Sequence, residues 1–251
     1  MCGFFGQFNT TKSDFDADHL YSLLSLSKSR GPDQTLYWKD EKESVWLGFN
    51  RLSILELSEA GCQPMHSFNG RFTIVFDGKI YNHFELRKSF LNRVWKGKSD
   101  TETILACIEQ YGFKDTLQLL DGMFALAVFD KDENTLMCAR DFAGIKPFFY
   151  GWNGRTFVFA SQYNQIINHK SFRNNKIDPS VLKLYLQQHF MPAPFGIISQ
   201  TGQIKPGEYI KISQSGFERN KYWVMPDYYK ASITSEEEAL KIIDQTLSIA
   251  V

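Results

Sequence analysis

The chain opens Met1-Cys2-Gly3-Phe4-Phe5-Gly6, and this stretch constrains the rest more than any other. Met1 is of the kind removed when a small residue follows, and its loss makes Cys2 the amino terminus. One residue then carries both a thiol nucleophile and a free α-amine. An α-amine titrates at about 7.7–8.0, so it can act as a base near neutral pH, a recognised way of activating a terminal nucleophile. The neighbouring glycines allow backbone and substrate to approach closely. By itself the stretch has a plainer explanation, because a cysteine beside a strand is usually a small buried apolar residue.

The hydrophobic pattern describes a sheet-rich α+β domain. Strands are expected at 2–8, 35–39, 45–50, 72–76, 123–129, 135–140 and 156–160, with a closing hairpin at 207–212 and 222–224. Helices are expected at 16–29, 83–90 (capped by Asn82), 99–112 and 179–188. Asp77-Gly78 reads as a hairpin turn, with Lys79-Ile80-Tyr81 returning. Ser99 and Glu102 have capping-box spacing. A last helix, opened by Thr234-Ser235-Glu236-Glu237, runs to Val251 without a stop signal, which suggests a cut through a longer protein.

Abundant aromatic residues, 22 Phe and 11 Tyr, argue for a packed interior and against disorder. Acids and bases balance at 28 each, which gives no basic face for nucleic acid. The cysteines at 2, 62, 107 and 138 form no Cys-x-x-Cys and no metal-like pairing with histidine, so no metal is expected. They fit free thiols in a cytoplasmic protein, and no apolar run is long enough to span a bilayer.

Several polar residues stand out. Arg51 at a strand end is either solvated or a forked clamp for a carboxylate. Asp100, at the start of the helix, reads as a favourable charge at a helix N-terminus. Arg30-Gly31-Pro32-Asp33 is a rigid turn or part of a site.

Taken together in order, the blocks resemble the class II glutamine amidotransferases, specifically the glutaminase half of glutamine-hydrolysing asparagine synthetase. Those blocks are Met1-Cys2-Gly3, Arg30-Gly31-Pro32-Asp33, Arg51-Leu52-Ser53-Ile54, Gln63-Pro64-Met65, Ile80-Tyr81-Asn82-His83 and Ser99-Asp100-Thr101-Glu102. Gly122-Met123-Phe124-Ala125, Arg140-Asp141, Gly144-Ile145-Lys146-Pro147, Phe159-Ala160-Ser161 and Lys205-Pro206-Gly207 continue the likeness over nearly the whole chain.

The resemblance implies an N-terminal-nucleophile hydrolase fold, an αββα sandwich of two antiparallel sheets between helix layers. It implies a glutaminase domain at 1–193, a connector and closing hairpin at 194–226, and at 227–251 the first helix of a missing C-terminal synthetase domain. Cys2 is then the nucleophile that hydrolyses L-glutamine to glutamate and ammonia through a glutamyl thioester. The Gly78 N–H and the side chain of Asp77 occupy the oxyanion positions. Arg51 clamps the substrate carboxylate, Asp100 holds its ammonium, and the Arg30–Asp33 loop orders the site. Ammonia feeds an ATP-dependent amidation of aspartate or another acid. No cofactor is expected in this chain, and ATP and Mg belong to the missing domain. The implied partners are glutamine and that domain, with neither nucleic acid nor membrane, and a homodimer is left open.

The likeness breaks where the family usually reads Asn-Gly-Glu and this chain has Asp77-Gly78-Lys79. An ionised Asp77 cannot donate to an oxyanion, and losing one such donor costs about 10²–10³ in rate. Lys79 replaces a carboxylate that faces the substrate ammonium, unless it turns to pair with Asp77. These changes keep open a second reading, a catalytically weak or silent module that binds glutamine or supports a partner domain.

Overall fold

A computed structural model describes residues 1–11, 15–42, 44–54, 56–226, 233 and 235–250. Among these residues, twelve strands form two six-stranded antiparallel sheets. The first runs, edge to edge, β10 (Thr201–Gln203), β8 (Phe149–Trp152), β9 (Thr156–Ala160), β1 (Gly3–Asn9), β3 (Val45–Arg51) and β2 (Gln34–Lys39). The second runs β12 (Gly216–Lys221), β11 (Glu208–Ser213), β7 (Thr135–Arg140), β6 (Gly122–Asp130), β5 (Phe72–Ile80) and β4 (Met65–His66).

Side chains alternate across each strand, so central strands such as β1 and β5 feed two cores. Phe4 and Phe8 of β1 meet Phe49, Val75, Phe129, Phe157 and Phe159 between the sheets. Burying each such side chain contributes roughly 1.5–3 kcal/mol. Phe5 points the other way, onto Leu20, Leu23 and Leu24 of α1 (Ala17–Ser25) and Ile166 of α5 (Tyr163–Ile167). Beyond the second sheet, Ile74, Phe76 and Ile80 pack on Ile104, Leu105 and Ile108 of α3 (Asp100–Tyr111) and Leu117 of α4 (Phe113–Leu119). Helix, sheet, sheet and helix thus make four layers, the sandwich expected.

Three local expectations change. Asp77-Gly78 is no hairpin: β5 continues through it, and Gly78, Lys79 and Ile80 stay paired with Phe124, Met123 and Gly122 of β6. A Cβ at Gly78 would overlap the Met123 carbonyl, so the glycine serves a close strand approach instead of a turn. Asn82 precedes α2 (His83–Arg87) without capping it; its side chain ties the Leu119 carbonyl to the Asp121 N–H. Ser99 caps α3 by accepting from the Thr101 N–H, but Glu102 accepts from Lys96 and Gly97 N–H groups instead of closing a capping box.

The helix at 16–29 stops at Ser25 and a 3₁₀ turn, Lys28–Arg30, follows it. The closing hairpin is β11–β12, its return strand at Gly216–Lys221 rather than 222–224. The helix at 179–188 is α6 (Pro179–Gln188), capped by Asp178. The last helix is α7 (Glu236–Ala250), and Thr234 and Val251 lie outside the described residues. No described helix is long and apolar enough to cross a membrane.

Candidate active site

Cys2 sits one residue before β1, where the last strand pair is Gly3 with Asn50. Its thiol is held by one residue: the Leu52 N–H donates to Sγ at 3.3 Å, and Sγ–H donates to the Leu52 carbonyl at 3.6 Å. Burial pushes the thiol pKa up, while the Leu52 N–H opposes that shift by stabilising the thiolate. Asp77 adds to the rise, and Lys146 pulls against it.

The Cys2 N–H donates to Asp77 Oδ1 at 3.2 Å. Asp77 shares the β5 face of Val75, inside the sandwich, and is only 2% exposed. Arg30, at the end of the 3₁₀ turn, binds both partners. Its Nε donates to the Cys2 carbonyl at 2.8 Å, and its Nη2 pairs with Asp77 Oδ2 at 2.9 Å. Asp33 completes the motif by accepting from the Ser53 N–H at 2.7 Å, which fixes the segment that carries Leu52. Asp77 pairs with Arg30 and with Lys146, whose Nζ lies 3.5 Å from Oδ1, and not with Lys79.

Nothing in the sequence singles out Lys146 within its Gly144–Pro147 block, and its place comes from Asp141. That buried carboxylate accepts the N–H groups of Phe124, Ala143, Ile145 and Lys146. Arg140 adds bonds to the carbonyls of Gly144 and Lys146. Gly144 has φ +69°, a turn that favours glycine.

A second row of polar contacts follows the free edge of β5 beyond the two residues of β4. In an antiparallel pair, successive residues point their N–H groups alternately toward and away from the partner strand. Phe124 spends its own N–H and C=O on Asp141, so its partner Gly78 faces away from β6. The outward N–H of Phe76 donates to Gln63 Oε1 at 2.6 Å, and that of Ile80 donates to Asp100 Oδ2 at 3.0 Å. Between these two, the Gly78 N–H faces the cavity. Gln63 was recognised only as part of a motif; its role as a plug for a strand edge depends on pairing that no local pattern reveals.

Asp100 begins α3 and is 4% exposed. Burial raises its pKa, and the Ile80 N–H and the nearby Lys79 work against that rise. Arg51, 7% exposed, donates from Nη2 to the carbonyls of Glu56 and Ser58 and from Nη1 toward Cys62 Sγ at 3.3 Å. Its fork therefore holds the 52–62 loop as well as reaching the cavity. Glu56 fastens that loop to the opposite rim by accepting the Lys98 N–H, the main reason its pKa falls to about 2.

One cavity of about 350 Å³ collects these groups, a volume suited to a small metabolite. Cys2, Arg51, Asp77, Gly78, Lys79 and Asp100 all line it, as does Lys146. Arg30, expected as a substrate-binding residue, does not line the cavity and stands behind Asp77, paired with it.

Residues 1–223 match the family model described as a glutamine amidotransferase domain. The putative glutamine-hydrolysing asparagine synthetase 2 of Methanocaldococcus jannaschii is 32% identical over 248 residues, covering 91% of this chain and 47% of that protein. Glutamine-hydrolysing asparagine synthetase 1 of Bacillus subtilis is 32% identical over 248 residues, covering 96% of this chain and 38% of its own length. The chain thus spans half or less of these relatives. Among solved structures, glutamine phosphoribosylpyrophosphate amidotransferase from B. subtilis, complexed with ADP and GMP, aligns with a TM-score of 0.62 at 17% identity, over 89% of this chain and 50% of that one. At that identity the likeness speaks for the fold alone, the sandwich of two antiparallel sheets between helix layers.

Proposed function

The chain belongs to the glutamine amidotransferase domain family, and from that premise we propose that its cavity hydrolyses the side-chain amide of L-glutamine through a thioester on Cys2. The observation that carries this reading is the meeting of Cys2 Sγ, the Cys2 nitrogen and the outward Gly78 N–H in one cavity. With Met1 removed, the nitrogen that now donates to Asp77 becomes an amine in the same place. It takes the Sγ proton, and the sulfur attacks the amide carbon. The Gly78 N–H donates to the oxygen as it gains charge. Collapse of the tetrahedral species breaks the carbon–nitrogen bond, and the amine passes its proton to the departing ammonia. Water then repeats the sequence on the thioester and frees glutamate and Cys2.

Asp100 receives the substrate ammonium and Arg51 the carboxylate, and Lys79 lines the same cavity. Arg30 is a positioning residue that fixes Asp77 and the Cys2 carbonyl. We divide the chain into a glutaminase domain at 1–193, a connector and closing hairpin at 194–226, and at 227–251 the first helix of a synthetase domain. Ammonia passes to that domain for an ATP-dependent amidation, with ATP and Mg bound there and aspartate or another acid as acceptor. Free thiols at all four cysteines fit the cytoplasm.

The test is intact mass before and after treatment with a diazo-ketone analogue of glutamine, paired with glutamate release. Loss of Met1, a single adduct on Cys2 and turnover that disappears in Cys2→Ala are the expected results. A Cys2→Ala protein as active as the parent refutes the reading. The silent-module reading has one supporting observation, an Asp77 occupied entirely as an acceptor. Labelling of Cys2 without glutamate release decides in its favour.

A further inference from the structure

The glutaminase reading leaves the oxyanion with one donor, the Gly78 N–H, because position 77 has none to give. Both oxygens of Asp77 are taken: Oδ2 by Arg30 at 2.9 Å, and Oδ1 by the Cys2 nitrogen at 3.2 Å and Lys146 Nζ at 3.5 Å. Its charge is already matched by Arg30. Lys146 is thus a second cation on a single carboxylate, with its side chain only 6% exposed. An uncompensated buried charge costs several kcal/mol, and a site retains one most readily where an anion comes and goes.

We propose that the Lys146 ammonium faces the oxyanion of the tetrahedral intermediate, supplying the charge-assisted contact that a side-chain amide at position 77 would otherwise give. Asp77 then has a different task, to hold the Cys2 amine toward Sγ and the ammonium toward the cavity. The proposal rests on the glutaminase reading. Three features support it beyond the single distance. Lys146 lines the cavity that holds Cys2, and its positive charge favours the Cys2 thiolate. An ammonium has three donors, and Asp77 is the one described partner of this one. The backbone beneath it is fixed by Asp141 through the N–H groups of Ala143, Ile145 and Lys146 itself, so the ammonium is delivered from a rigid loop.

A simple counter-ion role for Lys146 makes a different prediction, which separates the two. In the mature protein, Lys146→Met is expected to lower kcat for glutamine hydrolysis by about 10²–10³-fold, the range for one lost oxyanion donor. Alkylation of Cys2 by iodoacetamide, a displacement that forms no oxyanion, is expected to fall far less than hydrolysis does, because Lys146 is the smallest of the influences on the Cys2 thiolate. Lys146→Arg, which keeps the charge, should recover at least about tenfold of the loss. If Lys146→Met folds poorly, Lys146→Gln carries the test: its neutral amide keeps a hydrogen-bonding group beside Asp77 without the charge, and hydrolysis should still fall by at least about tenfold while alkylation falls far less. Unchanged hydrolysis in Lys146→Met, or hydrolysis and alkylation falling together, overturns the proposal and leaves the glutaminase reading standing. A parent that is alkylated yet releases no glutamate overturns both.

Discussion

Asp141 offers a sharp test of how the site is built, because one carboxylate carries a whole loop. Its Oδ1 accepts the Ala143 and Ile145 N–H groups at 3.1 and 2.9 Å, and its Oδ2 accepts those of Lys146 and Phe124 at 3.0 and 3.2 Å. The residue is fully buried, so water cannot replace it. Asp141→Asn keeps the shape but turns one acceptor into a donor aimed at two N–H groups. Hydrogen bonds to a charged group are worth about 1.5–3 kcal/mol each, so two lost bonds set a gross cost of about 3–6 kcal/mol. Partial relaxation of the loop brings the expected loss to the lower end, about 3 kcal/mol. For a domain of this size that lowers Tm by about 6–12 °C. Urea denaturation followed by fluorescence gives the free energy directly, with an unchanged slope showing that the native fold persists. Asp141→Ala, which orphans all four N–H groups, should be worse. A loss below about 0.5 kcal/mol for Asp141→Asn, the ordinary range for surface changes, would refute the claim that this carboxylate organises the loop.

Three further outcomes are expected. His169 is fully buried, accepts the Ser171 N–H at Nδ1 and donates from Nε2 to Gln7, and burial pushes its pKa down to about 3. The unfolded chain takes that proton near pH 6.5 and the folded one refuses it, so stability falls as pH drops below 6.5, by about 2 kcal/mol at pH 5; His169→Gln should flatten this slope in acid denaturation. Asp100→Asn should raise KM for glutamine by at least about tenfold with a smaller change in kcat, since it removes a charge from binding and leaves Cys2 untouched; in the parent, the raised Asp100 pKa makes kcat/KM decline on the acid side at a higher pH than an ordinary carboxylate would, and a KM unchanged by the substitution refutes the assignment. Gly78→Ala sets a Cβ against the Met123 carbonyl and the Phe124 Cα; an overpacking cost of about 1–3 kcal/mol is expected, and a protein as stable as the parent would mean that β5 can move away from β6.

The order of the blocks made the family legible because each is a local cluster with its own turn, cap or strand. Alternation of apolar residues placed β6, β7 and β9 to within a residue, and the apolar run around Phe4 and Phe5 marked β1, whose burial on both faces the structure adds. Short or glycine-broken strands such as β8 and β10 had too few alternating positions to register. Asp77-Gly78 misled for a physical reason: the pair favours a tight turn only when its neighbours can pair with each other. Here the competing partner is β6, more than forty residues on, and it wins by pairing with every residue of β5. Lys146 illustrates the same limit. A lysine before proline in a loop reads as solvated, and its burial follows from bonds that Asp141 makes with residues at 124, 143, 145 and 146.

The chemistry at position 77 lies furthest from local reading. Viewed alone, a carboxylate near an oxyanion is a defect. Its meaning changes once Cys2, 75 residues away, offers it a nitrogen, and Arg30, 47 residues away, offers it a guanidinium. Both its oxygens are then occupied, and Asp77 holds a second cation at the edge of the cavity. Whether a charge at one position hinders or helps the reaction is therefore set by the groups the fold brings to it, and for Asp77 those groups come from three other segments of the chain.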